Sequence, residues 1–233
     1  MTQTCRRTWT ALIIAAATAA CTIYYVATQV LKLTYADRSL IRMGLFVGLP
    51  LLAWLIESGF RPNQLLDKLR TLFVTQRKML KRRLWIIAGG LALVLLVNLL
   101  AEPVSHLFGV THILEGLRMR TREKPFQIFK LLVYIPIINA FGEELFFRAF
   151  CYLTICRIGF PRLAACFSAG LFALYHLAIF QSWFSLPLMI ASLTGLFGAG
   201  LLLNSAARRD GQIIDAWLMH GFFNYAALTI LVR

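Results

Sequence analysis

The sequence predicts an all-α protein, a polytopic transmembrane helical bundle with about seven spans. Hydrophobic residues make up 59% of the 233 residues, and the mean hydropathy is +0.71. That share is well above the apolar content of a typical soluble domain. Long uncharged runs cover residues 9–31, 84–101 and 163–207, and about 20 apolar residues let a helix cross a bilayer. The sequence therefore leaves no room for a separate soluble domain.

The apolar segments give the spans in order. The run 163–207 is about twice as long as one crossing, so it must fold back on itself near 181–187, where Pro187 follows a polar stretch. Gly195, Gly198 and Gly200 lie within a span, where small residues let helices approach closely. The predicted spans cover residues 9–31, 39–57, 84–101, 126–156, 163–180, 187–206 and 212–232.

Basic residues dominate the charge. The chain carries 24 Lys and Arg against 10 Asp and Glu, a formal net charge of +14. In a membrane protein such an excess reflects the positive-inside bias and attraction to anionic lipid, and no stretch is typical of a nucleic-acid-binding fold. We therefore expect anionic lipid, and no nucleic acid, among the partners. The larger share of basic residues is cytoplasmic if the N-terminus is cytoplasmic, with Arg38 and Arg42 on the opposite side.

Segment 61–83 is basic and also carries apolar side chains, such as Leu65, Leu69 and Leu72, at helical spacing. This pattern is typical of a helix that lies on a membrane surface. We expect a lipid-anchored connector on the cytoplasmic side, with substrate docking as the alternative. The whole chain is then a multi-pass integral protein, which we place in a bacterial inner (plasma) membrane.

Two adjacent glutamates lie in the middle of the apolar segment 126–156. An ionised carboxylate in a low-dielectric medium costs several kcal/mol unless it is paired or hydrated. Glu144 and Arg148 are four residues apart, so they share a helix face and can pair. Glu143 points about 100° away from Glu144. We interpret the Glu144–Arg148 pair as mainly a structural clamp, which leaves Glu143 to face something else.

Two other predicted spans carry polar groups. His176 follows Phe172 by four residues, and Asn224 follows His220 by four, so each pair shares a helix face. Taken alone, an intramembrane histidine is more often a hydrogen-bonded packing residue than a catalyst, and one asparagine can simply hold two helices together. Four such groups on three helices are more typical of a water-filled catalytic cavity. These groups are Glu143, His176, His220 and Asn224.

Other ionisable residues have simpler explanations. His106, His112 and Glu115 have no diagnostic metal-ligand spacing, and we interpret them as solvated residues of a loop over 102–125. Glu102 and Asp215 lie at the ends of predicted spans, where an interfacial position explains their charge.

Three motifs follow one another along the chain, each within a predicted span: Glu143-Glu144-x-x-x-Arg148, Phe172-x-x-x-His176 and His220-x-x-x-Asn224. In this order they resemble the motifs of the CPBP family, which comprises CAAX proteases and bacteriocin-processing enzymes. It is also called the Abi family or the type II CAAX prenyl endopeptidases. The resemblance covers about residues 126–230. It divides the chain into N-terminal transmembrane helices, residues 1–125, and a CPBP-like catalytic core, residues 126–233.

The resemblance implies an intramembrane endopeptidase that hydrolyses a peptide bond of a membrane-associated protein or peptide. It implies that Glu143 and His176 activate the attacking water, and that His220 and Asn224 stabilise the oxyanion. Glu144, Arg148 and Phe172 would support the site. Elementary chemistry agrees, because peptide hydrolysis needs a general base, and imidazole and amide N–H groups are suitable oxyanion donors.

A zinc-dependent version of the same peptidase is the main alternative. Glu143, His176 and His220 can ligate zinc and leave a position for water. The sequence lacks HExxH, which excludes a zincin-type helix. We favour the metal-free, glutamic version and expect no cofactor, because Asn224 is a poor zinc ligand but a good oxyanion donor.

Two further functions compete with proteolysis. A non-catalytic membrane protein on the same fold, such as an immunity protein or a scaffold, would not need the full polar set. A small proton-coupled transporter could use intramembrane Glu and His as a relay. However, the sequence lacks the paired repeats that transporters commonly show.

Overall fold

The computed structural model describes residues 2–74, 77–107, 111, 115, 129–181 and 184–230. These residues are overwhelmingly helical, and no strand occurs among them. The all-α prediction is therefore confirmed. His112 and the predicted turn residues Ser182 and Trp183 lie outside the described residues, as does most of the predicted 102–125 loop.

The helices follow in chain order. We label them α1 Gln3–Val30, α2 Tyr35–Glu57, α3 Pro62–Phe73, α4 Arg77–Leu107, α5 130–158, α6 Pro161–Tyr175, α7 Leu177–Phe180, α8 Leu186–Asp210 and α9 Ile214–Thr229.

Local sequence signals explain where several helices begin and end. Thr2 and Thr34 cap α1 and α2, because each side-chain oxygen accepts a hydrogen bond from a first-turn backbone N–H at 3.3 Å. Prolines occupy the first turns of α3, α6 and α8, where a missing N–H costs nothing. Gly159, with φ +113°, and Gly211, with φ +66°, end α5 and α8 in the left-handed region.

Five helices are long and apolar enough to cross a membrane within the described part of the chain. They are α1, α2, α4, the stretch Pro161–Ile179 that includes α6, and α8. Each coincides with a predicted span, so the protein is an integral membrane protein. The two other predicted spans correspond to α5, which carries Glu143, Glu144 and Arg148 near its middle, and α9, which has 16 residues. A total of seven spans stays a prediction.

The chain forms two compact units, Met1–Val74 with Gly142–Ile213, and Thr75–Phe141 with Ile214–Arg233. Each unit combines distant parts of the sequence, because helices pack against partners that are far away along the chain. The sequence division at residue 125 runs across these units and stays a prediction.

An aromatic cluster fills the core of the first unit. The ring of Phe46 in α2 stacks on Phe146 of α5, with centroids 4.4 Å apart, and meets Tyr175 of α6 edge-on at 5.1 Å. Ser168 of α6 donates a hydrogen bond to the Phe147 carbonyl at 2.8 Å, and its oxygen lies 3.2 Å from Asn204 Oδ1 of α8. These contacts fix α5 between α2, α6 and α8.

A close helix crossing joins α6 and α8. A Cβ atom added to Gly200 would lie 3.0 Å from the backbone Cα of Ala169, so a larger residue would require the two helices to move apart slightly. The expectation of small-residue packing is thus met at Gly200. At Gly195 and Gly198 an added Cβ would meet nothing within 4 Å among the described residues, and these two glycines have no such role there.

In the second unit, α9 packs against α4 and the first part of α5. A Cβ on Gly90 of α4 would lie 2.2 Å from the ring of Phe222, and one on Gly221 would lie 3.0 Å from the Pro136 carbonyl. Asn98 of α4 also donates a hydrogen bond to Thr229 at 2.7 Å. Glycines and buried hydrogen bonds therefore set the distances between these helices.

Asp215 differs from the sequence interpretation. It is buried, and its carboxylate pairs with Arg82 and, at 3.0 Å, with Arg83. Asp215 therefore ties the start of α9 to the first turns of α4. Interfacial exposure does not explain it, because two guanidinium groups compensate its charge inside the protein.

The basic segment 61–83 is divided between two helices. Its first part forms α3, where Leu72 is buried, and its second part begins α4 at Arg77. Lys68 of α3 lies 5.3 Å from the ring centroid of Trp54 and pairs with Glu57. The lipid-surface role of this segment stays a prediction.

Candidate active site

Glu143 lies at a change of helix geometry within α5. The turn Ala140–Glu143 is α-helical, whereas Lys130–Asn139 and Glu144–Leu153 on either side form wider π-helical turns. Such widened turns occur often at functional positions, because they shift the register of side chains. Residue spacing is interpreted on the assumption of a regular α-helix, so it could not predict these π-helical turns.

The Glu143 carboxylate is almost completely buried, with 2% of the residue exposed. The hydroxyl of Tyr175 donates a hydrogen bond to Glu143 Oε1 at 3.3 Å. Tyr175 is the last residue of α6, so this contact links the glutamate directly to the helix that leads to His176. The structure thus brings the first two motifs together through Tyr175.

Glu144 and Arg148 form the expected ion pair, with Oε1 and Nη1 2.8 Å apart and both side chains fully buried. The Arg148 guanidinium also lies over the ring of Phe172, 4.3 Å from its centroid, a favourable cation–π position. Phe172, a supporting residue of the second motif, therefore helps to hold the arginine of the first motif. The pair and the ring together anchor α5 against α6.

His176 lies in the turn between α6 and α7. Its Nδ1 is 2.7 Å from the carbonyl oxygen of Phe172. Since a carbonyl can only accept, Nδ1 must carry the hydrogen, and in the neutral ring Nε2 then holds the lone pair. The imidazole also meets the rings of Phe172 and Tyr175 edge-on, at 4.8 and 5.0 Å. These contacts orient Nε2 as a base or as a metal ligand.

The position of Arg42 differs from the one that the sequence predicted. We expected it at the membrane surface, but it is buried in α2, with 7% of the residue exposed. Its guanidinium lies 5.8 Å from the ring centroid of Tyr24, and it interacts electrostatically with Tyr175 and Glu143. The available signal was its position four residues before Phe46 in the same apolar helix, which gives both residues one face.

His220 and Asn224 both lie in α9, in the second unit. His220 is buried, with 4% exposed, and Asn224 is half-buried. Nearby, the indole N–H of Trp217 donates to the Ile137 carbonyl at 2.9 Å. The third motif is therefore held on a helix that is fixed to the first part of α5.

An apolar cavity of about 230 Å³ lies between α9 and the first part of α5. Its walls include Pro136, Ile137, Trp217, Phe222 and Tyr225. Such a cavity suits an apolar side chain or part of a lipid chain.

No group of three or more His, Cys, Asp or Glu side chains that could hold a metal ion is found within the described ranges. The donor chemistry of individual residues nevertheless suits zinc, since a histidine whose Nδ1 donates to a backbone carbonyl is a common ligand through Nε2. His106 and Glu115 are exposed in the structure.

Comparison with known proteins identifies the segment that contains these motifs. Residues 125–226 match the family described as type II CAAX prenyl endopeptidase, Rce1-like. The match covers less than half of the chain, and over these residues the chain is similar to that family. No curated protein and no solved structure gives a significant match.

The family match confirms the resemblance drawn from the three motifs. All the motif positions, from Glu143 to Asn224, lie within the matched residues. The match supports a CAAX-type endopeptidase, and the long apolar helices make the protein an integral membrane protein. Arg42 and the rest of α1–α4 lie outside the matched segment.

Proposed function

We propose that this protein is a glutamic-type intramembrane endopeptidase that cleaves near the C-terminus of a membrane-associated protein or peptide. The single observation that carries the proposal is the arrangement around Tyr175. Its hydroxyl donates to the buried Glu143 carboxylate, and its neighbour His176 has its Nδ1 occupied by the Phe172 carbonyl. A carboxylate and an oriented imidazole are the groups that activation of water requires.

In the proposed reaction, water attacks the carbonyl carbon of the scissile peptide bond. Its proton passes to Glu143, with Nε2 of His176 as the neighbouring base. The carbonyl oxygen becomes an oxyanion, and N–H groups of His220 and Asn224 donate hydrogen bonds to it. The C–N bond then breaks as the proton is delivered to the leaving amine, which yields a new carboxylate and a released peptide.

The supporting residues act on this chemistry indirectly. The Glu144–Arg148 pair and Phe172 hold α5 in register with α6, which keeps Glu143 next to Tyr175. We also propose that the apolar cavity beside α9 accepts an apolar or lipid-modified part of the substrate, since its walls offer few polar groups. Water must reach Glu143 from one membrane face.

Comparison of the membrane proteomes of cells that produce the wild-type protein or Glu143→Gln tests the proposal. The isosteric amide cannot accept the proton, so we expect one or more polypeptides to keep an unprocessed C-terminus. Glu102→Gln, a change at an exposed glutamate of α4, is the matched control and should process normally. Identical termini in wild-type and Glu143→Gln cells would instead support a non-catalytic membrane protein.

Chelation separates the glutamic mechanism from the zinc-dependent alternative. The metal-free mechanism predicts that the purified protein cleaves its substrate at an unchanged rate after exhaustive treatment with a chelator. If Glu143, His176 and His220 hold zinc, activity should be lost on chelation and restored by added Zn²⁺.

A further inference from the structure

Arg42 is a buried cation outside the segment that matches the family. Burial of a guanidinium costs several kcal/mol unless nearby charges and hydrogen bonds compensate it, and 7% of Arg42 is exposed. It belongs to α2, whose sequence carries none of the three motifs. Its burial therefore requires a partner within the first unit.

Two tyrosines connect Arg42 to Glu143. The guanidinium lies 5.8 Å from the ring centroid of Tyr24, and the rings of Tyr24 and Tyr175 have centroids 5.2 Å apart. Arg42 is also close enough to Tyr175 for an electrostatic interaction, and the Tyr175 hydroxyl donates to Glu143 Oε1 at 3.3 Å. The arginine, the phenol and the carboxylate thus form one connected group drawn from α2, α6 and α5.

The position of Arg42 is fixed by packing. One turn later in α2, Phe46 is almost completely buried and stacks on Phe146 of α5 at 4.4 Å. A Cβ on Gly142, the residue before Glu143, would lie 3.6 Å from the Val47 side chain. The face of α2 that carries Arg42 is therefore packed directly behind the turn that carries Glu143.

The charges in this region balance. Glu143 and Glu144 carry two formal negative charges, and Arg42 and Arg148 carry two positive ones. Arg148 pairs with Glu144 at 2.8 Å and also interacts electrostatically with Glu143, and Arg42 is a further cation that interacts with Glu143. Other titratable groups that interact with Glu143 among the described residues include Cys21 of α1, Tyr175 of α6 and Arg148 of α5 itself.

We propose that Arg42 is a positioning residue for catalysis, which holds the Tyr175 hydroxyl and the Glu143 carboxylate in their working geometry and balances the charge of Glu143. This inference rests on the proposed function of Glu143. It also assigns a role in the active site to the N-terminal helices, which carry no family motif.

Kinetics of purified Arg42→Met in liposomes test the inference on a peptide substrate. We expect kcat to fall by about 10- to 100-fold, the usual effect of losing a residue that orients a catalytic group, with KM changed by less than about threefold. Arg42→Lys should restore much of kcat, because it returns the positive charge. Arg38→Met, one turn earlier in α2, is the matched control and should keep wild-type kinetics.

A double-mutant cycle with Tyr175→Phe distinguishes a loss of positioning from a general loss of packing. If Arg42 acts through the Tyr175 hydroxyl, Tyr175→Phe alone lowers kcat, and the combined variant is hardly slower than the worse single variant. Tyr175→Phe removes only one oxygen atom, so it keeps the test valid should Arg42→Met fail to fold.

Two results would overturn the inference while leaving the proposed function intact. One is a wild-type kcat for Arg42→Met or Tyr175→Phe in a preparation where Glu143→Gln is inactive. The other is a double variant whose kcat falls by the product of the two factors measured for the single variants. Full activity of Glu143→Gln would instead reject the proposed function itself.

Discussion

The Glu144–Arg148 pair shows how one residue pair can hold a buried site together. Neither side chain is exposed, and the arginine is further stabilised by the ring of Phe172. Both charged groups are already out of contact with water, so removal of one partner leaves the other charge buried and uncompensated. The pair therefore contributes through the fold, whereas we propose that Glu143 contributes through the reaction.

We expect Glu144→Gln to destabilise the protein by about 3–5 kcal/mol, because Arg148 would remain buried without its counter-charge. Thermal unfolding in detergent measures this loss. Glu57→Gln is the matched control, since its carboxylate is half exposed and surface ion pairs contribute at most about 1 kcal/mol. Equal melting temperatures for the two variants would contradict the structural role of the pair.

The substitution His176→Asn tests the roles of the two imidazole nitrogens separately. The asparagine amide can still donate to the Phe172 carbonyl, as Nδ1 does at 2.7 Å, but it has nothing in place of Nε2. We expect normal folding and a loss of about 100-fold or more in kcat, the usual contribution of a general base. His106→Asn, at an exposed position in α4, should have no effect on kcat.

Close approach between helices determines which of them can pack against each other. Gly90 of α4 and Phe222 of α9 are in direct contact, and an added Cβ would overlap the aromatic ring at 2.2 Å. Phe222 lies between His220 and Asn224 in the sequence. The distance between α4 and α9 therefore affects the position of the helix that carries the third motif.

Gly90→Ala should lower both stability and activity, because the new methyl group forces α9 away from α4. Gly89→Ala is an internal control, since a Cβ there would meet nothing within 4 Å among the described residues. Combination of Gly90→Ala with Phe222→Ala should recover part of the melting temperature by making space. If Gly89→Ala and Gly90→Ala melted alike, this packing would be wrong.

The helices were predictable from the sequence, but their local geometry was not. Apolar runs predicted the helical class and the position of each candidate span, because the bilayer sets both composition and length. The π-helical turns beside Glu143 do not follow from residue spacing, which assumes a regular α-helix. For the same reason, the break between α3 and α4 was not predicted within the basic segment.

The candidate site was predictable to the extent that it depends on neighbours along the chain. The pairing of Glu144 with Arg148, and the contact of Phe172 with His176, both follow from a separation of four residues. Contacts between distant segments did not follow. Arg42 with Tyr175, and Asp215 with Arg82, join residues more than a hundred positions apart, and charge alone suggested surface positions for both Arg42 and Asp215.

For the whole molecule, the distribution of basic residues predicts a cytoplasmic N-terminus. A cysteine introduced at Asn63, exposed in α3, should then react with a membrane-impermeant maleimide only from the cytoplasmic side. One introduced at Lys32, exposed after α1, should react only from the opposite side. Labelling of both positions from one face would contradict the crossing of α2, and exchanged faces would reverse the orientation.

Catalysis by Glu143 is tested by cleavage of a lipid-modified peptide with a free C-terminus by purified protein in liposomes, followed by mass spectrometry. We expect the wild-type protein and Glu102→Gln to release the same C-terminal fragment. We expect Glu143→Gln, with an unchanged melting temperature, to release none. Release of that fragment by Glu143→Gln at the wild-type rate would show that Glu143 is not the catalytic carboxylate.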